Sequence, residues 1–449
     1  MSDVTLVNAV LPCSVTATPL GILCLAASIE QAGYEVDVRD YQLCSSENAA
    51  LPLTFAHFVN TDSPIIGIGC MSYALPLVIE AVEAIKDRNP DCHIVLGGIG
   101  PSGVAAELLK FSPAVDVVVL GEGEATIVEL TGCLLSKKDL SAVAGIAYRE
   151  NGQVRVNRQR PRILSLESLP RPAYSKVNVR DYRVVDVQFG RGCPFGCSFC
   201  DIAPYWSRKH TKRPVNAFVD ELASLARQGD VHDVFFVDDT FVLSRQLVDE
   251  ICDEITDRGI RIRWGCYART DLVSEKLLAK MASAGCQKIF YGVESGSDAI
   301  LDAINKGVSR RRTDTAIRAS LDYIPFVTTS FVWGFPNESF EDLEETVAFL
   351  LYYTALGASP QFNLVLPYSY SELFRKYSND LKFDPTFSSQ LKFYRPYQEH
   401  FFEMIRANVK LFSAFYSLPT LDFDRKWHFL KEVGLDPHLL QDAYFEWLA

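Results

Sequence analysis

The sequence predicts an α/β protein that begins with a doubly wound parallel sheet, continues into a second series of strand–helix repeats and ends in a small C-terminal helical region. Short apolar runs alternate with longer helix-compatible stretches over most of the chain. Residues 381–449 are rich in Phe, Tyr and Trp with helical periodicity, which predicts helices over 397–416 and 424–433. This rhythm is typical of parallel strands joined by helices that cover both faces of a sheet. The 449 residues favour two or three domains. We place them at 1–145, 181–380 and 381–449, with a linker over 146–180.

Composition narrows the classes of partner. The chain carries 44 Lys and Arg against 56 Asp and Glu, a net charge of −12, which opposes binding to nucleic acid through counterion release. Two basic segments, 208–213 and 310–312, are interpreted as solvated faces or a local phosphate site. No apolar stretch reaches the roughly 18 residues that span a bilayer, and the first residues lack the basic start of a secretion signal. We therefore expect a cytoplasmic protein without a membrane span.

In the first domain, small residues follow the predicted strands. The strands are expected at 4–7, 36–38, 65–68, 94–96 and 117–120, and a ligand crevice lies at the carboxyl ends of such strands. Small residues there let a bulky, flat ligand approach the backbone. The residues in question are Ser72, Gly97, Gly98, Gly121 and Glu122. No Gly-x-Gly-x-x-Gly opens the first helix, so NAD is disfavoured.

These residues, together with Pro19-Leu20-Gly21 at the start of a helix, resemble the cobalamin-binding domain attached to many radical S-adenosylmethionine (SAM) enzymes. The resemblance covers roughly residues 1–140. It implies cobalamin as a cofactor, with contacts from Ser72, Gly97, Gly98, Gly121 and Glu122. No Asp-x-His-x-x-Gly follows the first strand, and Cys13 stands in that loop instead. Histidine ligation of the lower face of cobalt is therefore not implied.

Three closely spaced cysteines are the clearest indication of a metal site in the sequence. Cys193, Cys197 and Cys200 form Cys-x3-Cys-x2-Cys directly after a predicted strand at 184–189, and three thiolates on one loop favour an iron–sulfur cluster or zinc. Three ligands on four irons leave one iron open to a substrate or cofactor. The alternative is a zinc ion with His210 as the fourth ligand, but structural zinc sites are usually built from pairs of cysteines. The nine other cysteines are scattered and are interpreted as buried small side chains.

The cysteine spacing, with Phe199 just before the third cysteine, is similar to the signature of the radical SAM superfamily. The resemblance implies a [4Fe-4S] cluster held by Cys193, Cys197 and Cys200. It also implies SAM bound to the open iron and cleaved, after one-electron reduction, to methionine and a 5′-deoxyadenosyl radical. A reductant such as flavodoxin or ferredoxin is the expected partner.

The second domain fits the partial (β/α)6 barrel of that superfamily, because six strand–helix repeats run from residue 184 to about 366. Polar residues stand at the strand ends, where the site of a barrel lies. A guanidinium can bind a carboxylate bidentately, and a carboxylate can bind two hydroxyls. The resemblance, which reaches residue 375, implies SAM contacts from Phe199, Arg269, Glu294 and Ser295. Asp238, Asp239 and Glu338 either line the same site or stabilise helix ends.

The leading interpretation is a cobalamin-dependent radical SAM enzyme, most readily a C-methyltransferase acting on an unactivated carbon of a small metabolite, lipid or pigment precursor. An oxidative cyclase or rearrangement enzyme with the same cofactors is the alternative. RNA methylthiolation is disfavoured by the acidic charge and by the scattered early cysteines. A cobalamin sensor without catalysis is opposed by the polar strand ends. No catalytic residue that contacts substrate is identified from the sequence.

Overall fold

The computed structural model describes residues 2–13, 15–228, 231 and 233–435. The chain divides into two compact units. The first comprises Met1–Asp181, Tyr368–Tyr370 and Phe383–Tyr416, and the second comprises Tyr182–Pro367, Ser371–Lys382 and the described residues from 417 onward. The segment 381–449, expected to form one helical cap, is thus divided between the two units.

The first unit is built on a seven-stranded sheet with the order β2-β1-β3-β4-β5-β6-β7. The first five strands are parallel, with Val4 of β1 in register with Val36 of β2 and Ile65 of β3. The last two strands form an antiparallel hairpin inside the segment predicted as a linker. The strands are β1 (Val4–Asn8), β2 (Val36–Asp40), β3 (Ile65–Gly69), β4 (His93–Gly97), β5 (Val117–Val119), β6 (Ile146–Glu150) and β7 (Gln153–Val156).

Helices connect the parallel strands, and α1 and α6 pack with the sheet around one apolar core. Ile22 and Leu130 from these helices meet Leu6 and Ile65 of the strands there. This arrangement confirms the doubly wound parallel sheet. The helices are α1 (Leu20–Gln31), α2 (Pro52–Val59), α3 (Leu75–Arg88), α4 (Ile99–Ser102), α5 (Ala105–Phe111) and α6 (Glu124–Leu135).

The second unit contains a six-stranded, wholly parallel sheet with the order β15-β14-β13-β12-β11-β8. This order follows the sequence from one edge to the other, as a partial (β/α)6 barrel requires, and confirms the predicted fold class. Its strands are β8 (Val185–Val187), β11 (Asp233–Phe236), β12 (Arg263–Ala268), β13 (Cys286–Glu294), β14 (Phe326–Trp333) and β15 (Ser359–Leu364). Two short strands, β9 (Gly190–Arg191) and β10 (Thr211–Lys212), form a separate antiparallel pair.

Amphipathic helices alternate with these strands. Val248 and Ile251 of α9 and Leu278 and Met281 of α10 illustrate the buried faces, since each is at most 1% exposed. The helices are α7 (Ile202–Tyr205), α8 (Val215–Arg227), α9 (Arg245–Asp257), α10 (Glu275–Ser283), α11 (Asp298–Ala303), α12 (Arg310–Tyr323), α13 (Phe340–Ala355) and α14 (Glu372–Tyr377).

As far as residue 435, the C-terminal region contains two further helices, α15 (Phe402–Ala407) and α16 (Phe423–Glu432). The second matches the helix expected over 424–433. The long helix expected over 397–416 is wrong, because only α15 and short 3-10 turns form there. Residues 411–416 are all buried in succession, which one helical stripe cannot achieve. Among the described residues, no helix is long and apolar enough to cross a membrane.

Candidate functional site

The three cysteines lie on one loop between β9 and α7 in the second unit. Cys197 is buried, whereas Cys193 and Cys200 are partly exposed. Burial raises the pKa of Cys197, and it raises the pKa of Cys200 to about 12, so thiolates at these positions require a bound metal to displace their protons. Within the described ranges, no three His, Cys, Asp or Glu side chains converge on a point that would hold one metal ion. Three cysteine thiols on one loop are the donors that an iron–sulfur cluster uses.

Two aspartates hold the chain that leads into this loop. The Asp238 carboxylate accepts hydrogen bonds from the backbone N–H groups of Phe189, at 3.0 Å, and Gly190. Asp239 Oδ2 accepts one from Gly192 N–H at 2.7 Å. Burial raises the pKa of Asp238 to about 7, against the lowering effect of its backbone donors. The side chains thus position the cluster loop, a role that the sequence did not suggest.

The Arg269 side chain contacts the same loop. Its guanidinium carbon lies 3.7 Å from the centre of the Phe195 ring, and Nη1 lies 4.0 Å from Cys197 Sγ. Nε donates to Asp271 Oδ1 at 3.0 Å, and Nη2 donates to the carbonyl of Lys306 at 2.8 Å. Arg269 therefore brings a buried positive charge beside a thiol. Neither Phe195 nor Asp271 was expected at the site from the sequence.

Glu294 forms a buried ion pair that the sequence did not reveal. Its Oε1 lies 2.7 Å from Lys306 Nζ, and both side chains are less than 10% exposed. The backbone of Glu294 has a φ of +69°, a left-handed conformation that costs about 1–2 kcal/mol in a non-glycine residue. Lys306 also lies close enough to Cys197 to lower its pKa, against the larger effect of burial. A strained, charge-paired carboxylate beside the cluster loop is typical of a ligand-binding position.

Ser295 and Phe199 lie in well-packed surroundings. Ser295 Oγ is 2.8 Å from Thr346 Oγ1, and the Ser295 side chain is fully buried. It therefore fixes the loop against α13. The Phe199 ring contacts the Phe335 ring edge to face, with centroids 5.9 Å apart. This contact connects the cluster loop to the loop that follows β14.

Asp186, in the middle of β8, is a further acid that the sequence did not identify as a site residue, and its side chain is partly exposed. Its neighbours Val185 and Val187 point to the opposite face of the sheet, because side chains alternate along a strand. Partial removal from water raises the pKa of Asp186 to about 8. Desolvation thus favours the protonated form of this acid.

In the first unit, the carboxyl edge of the sheet carries the predicted glycines. Gly98 has a φ of +96°, and a Cβ built on it would lie 2.9 Å from the Cys70 carbonyl oxygen. A Cβ on Gly100 would lie 2.6 Å from the Met71 carbonyl carbon. Only glycine fits in either position without displacing backbone. Gly121 has a φ of +73° and open space around it. Ser72 begins the 3-10 turn that follows β3.

Unlike the glycines, Glu122 forms side-chain hydrogen bonds with other residues of the chain. Its Oε2 accepts hydrogen bonds from Arg162 Nε and from Ile163 N–H, both at 2.8 Å. The side chain therefore ties the segment after the β6–β7 hairpin to the sheet. A ligand contact by this carboxylate would have to compete with a buried ion pair.

A polar network holds the loop that follows β1, and sequence reasoning missed it. Asp40 accepts hydrogen bonds from Asn8 Nδ2 at 2.8 Å and from Gln42 Nε2 at 2.6 Å. Gln42 in turn exchanges two hydrogen bonds with the backbone of Ala17, at 2.8 and 3.1 Å. These residues are spaced over 35 positions of the chain, and no local motif joins them. The loop is thereby held at the edge where Ser72 and Gly98 stand.

Parts of the sixth barrel loop and of the tail belong to the first unit. The Ser369 side chain occupies the space that a Cβ on Gly103 would take. The Tyr394 hydroxyl donates to the Tyr73 carbonyl, and the Tyr73 ring stacks on Phe393 with centroids 4.4 Å apart. The aromatic residues at 393 and 394 therefore have a packing role against the segment that follows β3.

Replacing Gly98 by alanine is expected to destabilise the first unit by about 1–3 kcal/mol and to weaken binding of cobalamin at the sheet edge, because the methyl group would displace the Cys70 carbonyl. Thermal unfolding and equilibrium titration with hydroxocobalamin measure the two effects. Gly33→Ala is the matched control, since Gly33 has a φ of +88° but nothing within 4 Å of its Cβ position. Equal cobalamin affinities in the two variants would contradict the assignment.

Two known domain families match the chain. The family model for the B12 binding domain matches residues 10–131. The model for the radical SAM superfamily matches residues 187–350. The two matches fall on the first and second units, respectively, and the cluster loop lies within the second match.

Three similar proteins match most of the chain. The chain is 29% identical over 343 residues to an uncharacterized methyltransferase of Pyrococcus horikoshii, a match that covers 74% of this chain and 73% of the relative. It is 30% identical over 328 residues to the anaerobic magnesium-protoporphyrin IX monomethyl ester cyclase of Rubrivivax gelatinosus, covering 70% of this chain and 58% of the cyclase. Its fold matches the radical SAM methyltransferase TsrM of Kitasatospora setae with a TM-score of 0.70 at 20% identity, covering 84% and 75% of the two chains.

Proposed function

Because the chain belongs to the radical SAM enzymes that carry a cobalamin-binding domain, we propose that it is a C-methyltransferase acting on an unactivated carbon of a small metabolite, lipid or pigment precursor. One observation carries the proposal. The same chain holds a three-thiol loop beside a buried Arg and Glu, and a glycine-lined sheet edge of the cobalamin-binding type. When bound, the cluster with SAM supplies a hydrogen-abstracting radical and cobalamin supplies a methyl group.

On the radical SAM side, Cys193, Cys197 and Cys200 would hold the cluster. Arg269 would lie beside it and neutralise part of its negative charge, as its 4.0 Å approach to Cys197 Sγ suggests. Glu294 would accept hydrogen bonds from the ribose hydroxyls of SAM, with Lys306 holding the carboxylate in place. Phe199 would pack against the adenosyl group. Ser295 would support this loop through Thr346, and its backbone rather than its buried hydroxyl would face a ligand.

On the cobalamin side, the backbone at Gly97 and Gly98 would allow the corrin or its nucleotide tail to approach the sheet. Ser72 would donate a hydrogen bond from the end of β3, and Gly121 would leave room at the end of β5. Glu122 would act indirectly, through its ion pair with Arg162. The protein contribution to the reaction is thus to position both cofactors and to exclude water.

The alternative is an oxidative cyclase or rearrangement enzyme with the same cofactors and no net methyl transfer. It is supported by the likeness to the Rubrivivax gelatinosus cyclase, which is similar in extent to the likeness to the Pyrococcus horikoshii methyltransferase. Both activities would use the residues described above. The reaction products, and not the residues of the site, therefore distinguish methyl transfer from cyclisation or rearrangement.

The products of SAM distinguish the two activities. We expect the anaerobically reconstituted protein, supplied with reductant, hydroxocobalamin and methyl-deuterated SAM, to form both S-adenosylhomocysteine and 5′-deoxyadenosine in comparable amounts. Candidate metabolite, lipid and pigment-precursor extracts would be searched by mass spectrometry for a compound that gains a labelled methyl group. Formation of deoxyadenosine and a changed substrate without S-adenosylhomocysteine would refute methyl transfer and support the cyclase alternative.

A further inference from the structure

A basic segment of the second unit is not explained by the cofactor sites. Residues 207–213, here called the basic hairpin, include Arg208, Lys209 and Lys212 in a chain whose net charge is −12. Thr211–Lys212 of this segment forms β10, which pairs with β9, and β9 ends two residues before Cys193. Lys209 and Lys212 are exposed. The hairpin therefore places positive charge on the surface next to the cluster loop.

Direct contacts join the basic hairpin to that loop. Arg208 Nη1 donates to the carbonyl of Phe195 at 2.6 Å. The carbonyl of Lys209 lies so close to Gly192 that no Cβ would fit there. Asn305 Nδ2 also donates to the carbonyl of Gly196 of this loop, at 3.0 Å. The basic hairpin is thus in direct contact with the loop that carries all three cysteines.

The backbone of the hairpin is held in an unusual conformation. Ser207 and Arg208 are consecutive non-glycine residues with φ values of +54° and +51°, each costing about 1–2 kcal/mol. A simple connecting turn would place glycine or asparagine there. Arg213, by contrast, is used inside the fold, where it pairs with Glu221 at 2.7 Å. The exposed lysines are therefore presented by a strained turn, which is a feature of functional surfaces.

We propose that the basic hairpin is the docking surface for a small acidic one-electron carrier of the flavodoxin or ferredoxin type, which reduces the cluster from this side. The inference rests on the proposed function, since it requires a cluster on Cys193, Cys197 and Cys200. One electron passes from the reduced carrier to the cluster, the carrier is oxidised by one electron, and no bond or proton is transferred. A local basic patch on an acidic protein steers an acidic partner to one face, and brief electron-transfer encounters need only a small interface.

Charge reversal at the two exposed lysines tests the docking surface. In Lys209→Glu/Lys212→Glu, we expect the second-order rate constant for cluster reduction by flavodoxin hydroquinone, followed by stopped-flow absorbance at low ionic strength, to fall at least about tenfold. In the parent protein, added salt should lower this rate constant, because it screens the attraction between the lysines and flavodoxin. In the variant this salt dependence should largely disappear. Reduction by photoreduced 5-deazariboflavin, which has no acidic protein surface, should be unchanged, as should turnover with that reductant.

The matched control is Lys137→Glu/Lys138→Glu, which makes the same change in net charge at two exposed lysines of the first unit. This variant should be reduced by flavodoxin at nearly the parent rate. The inference is overturned if the hairpin variant is reduced by flavodoxin as fast as the parent, or if the control slows equally. It is also overturned if the hairpin binds single-stranded RNA without competition from flavodoxin. Failure of methyl transfer with 5-deazariboflavin would instead refute the proposed function, so the two failures are distinguishable.

Discussion

Replacing Cys197 by alanine is expected to remove the iron–sulfur cluster and to lower 5′-deoxyadenosine formation at least about a thousandfold. Cys197 is the middle one of the three proposed ligands and the most buried, with its Sγ 4.0 Å from Arg269 Nη1. Two remaining thiols cannot hold a cubane that needs three protein ligands and SAM. The loss should appear in iron and sulfide content, in the charge-transfer absorbance of the cluster and in the deoxyadenosine assay.

The same variant separates an enzyme from a cobalamin carrier. Cobalamin binding should persist in Cys197→Ala, because the glycine-lined edge belongs to the first unit. Cys252→Ala is the matched control, since Cys252 is a buried free cysteine of α9 outside the cluster loop. The control should retain iron and activity. A Cys197→Ala protein that keeps full iron content would contradict the assignment of the cluster ligands.

The second large effect is expected at Lys426, whose replacement by methionine should destabilise the second unit by about 3–5 kcal/mol. Lys426 in α16 and Glu338 after β14 form an ion pair in which both side chains are 0% exposed. Lys426 Nζ donates to Glu338 Oε2 at 3.1 Å and to the Glu338 carbonyl, and Oε2 also accepts from Gly334 N–H at 2.9 Å. Removing the lysine leaves a buried carboxylate without its counter-charge.

Chemical denaturation of the holoprotein measures this loss of stability. The direction in which the loss changes with pH follows from the pKa of Glu338. Burial raises the pKa of Glu338 even with Lys426 present, and the substitution removes the lowering effect of the ammonium group. A carboxyl whose folded pKa is raised binds more protons in the folded state, so its contribution to stability falls as pH rises above its unfolded value. The loss in Lys426→Met should therefore be smaller at pH 5 than at pH 8.

Two further variants test whether the buried charge is the cause. Lys431→Met makes the same substitution at an exposed position of the same helix and should change the free energy of unfolding by less than about 0.5 kcal/mol. Adding Glu338→Gln to Lys426→Met should recover part of the lost stability, since it replaces the unpaired charge by a neutral amide. No recovery in the double variant would indicate a packing effect instead.

Much of the fold follows from local sequence pattern. Mainly apolar runs of three to six residues placed five of the seven strands of the first unit and all six parallel strands of the second, because strands that are buried on both faces are largely apolar. The hairpin β6–β7 was missed since its second strand is largely exposed and carries no such run. No single helix forms over 397–416, because six consecutive residues there, 411–416, are buried, whereas the helical pattern predicts burial on one face alone.

In the candidate site, too, some features can be predicted from local sequence and others depend on the tertiary structure. The sequence by itself was enough to predict roles for the three cysteines and for the glycines at the sheet edge, and to indicate the family. Metal ligation and close backbone approach require fixed residue types at fixed spacing, and such patterns are visible in a sequence. Only the tertiary structure decided the partners of the charged residues: Arg269 on Phe195, Glu294 with Lys306, Glu122 with Arg162 and Glu338 with Lys426. Each of these charges could be satisfied by any suitable partner that the fold brings near. The choice depends on packing between residues that are 12 to 88 positions apart in the chain, which no local pattern records.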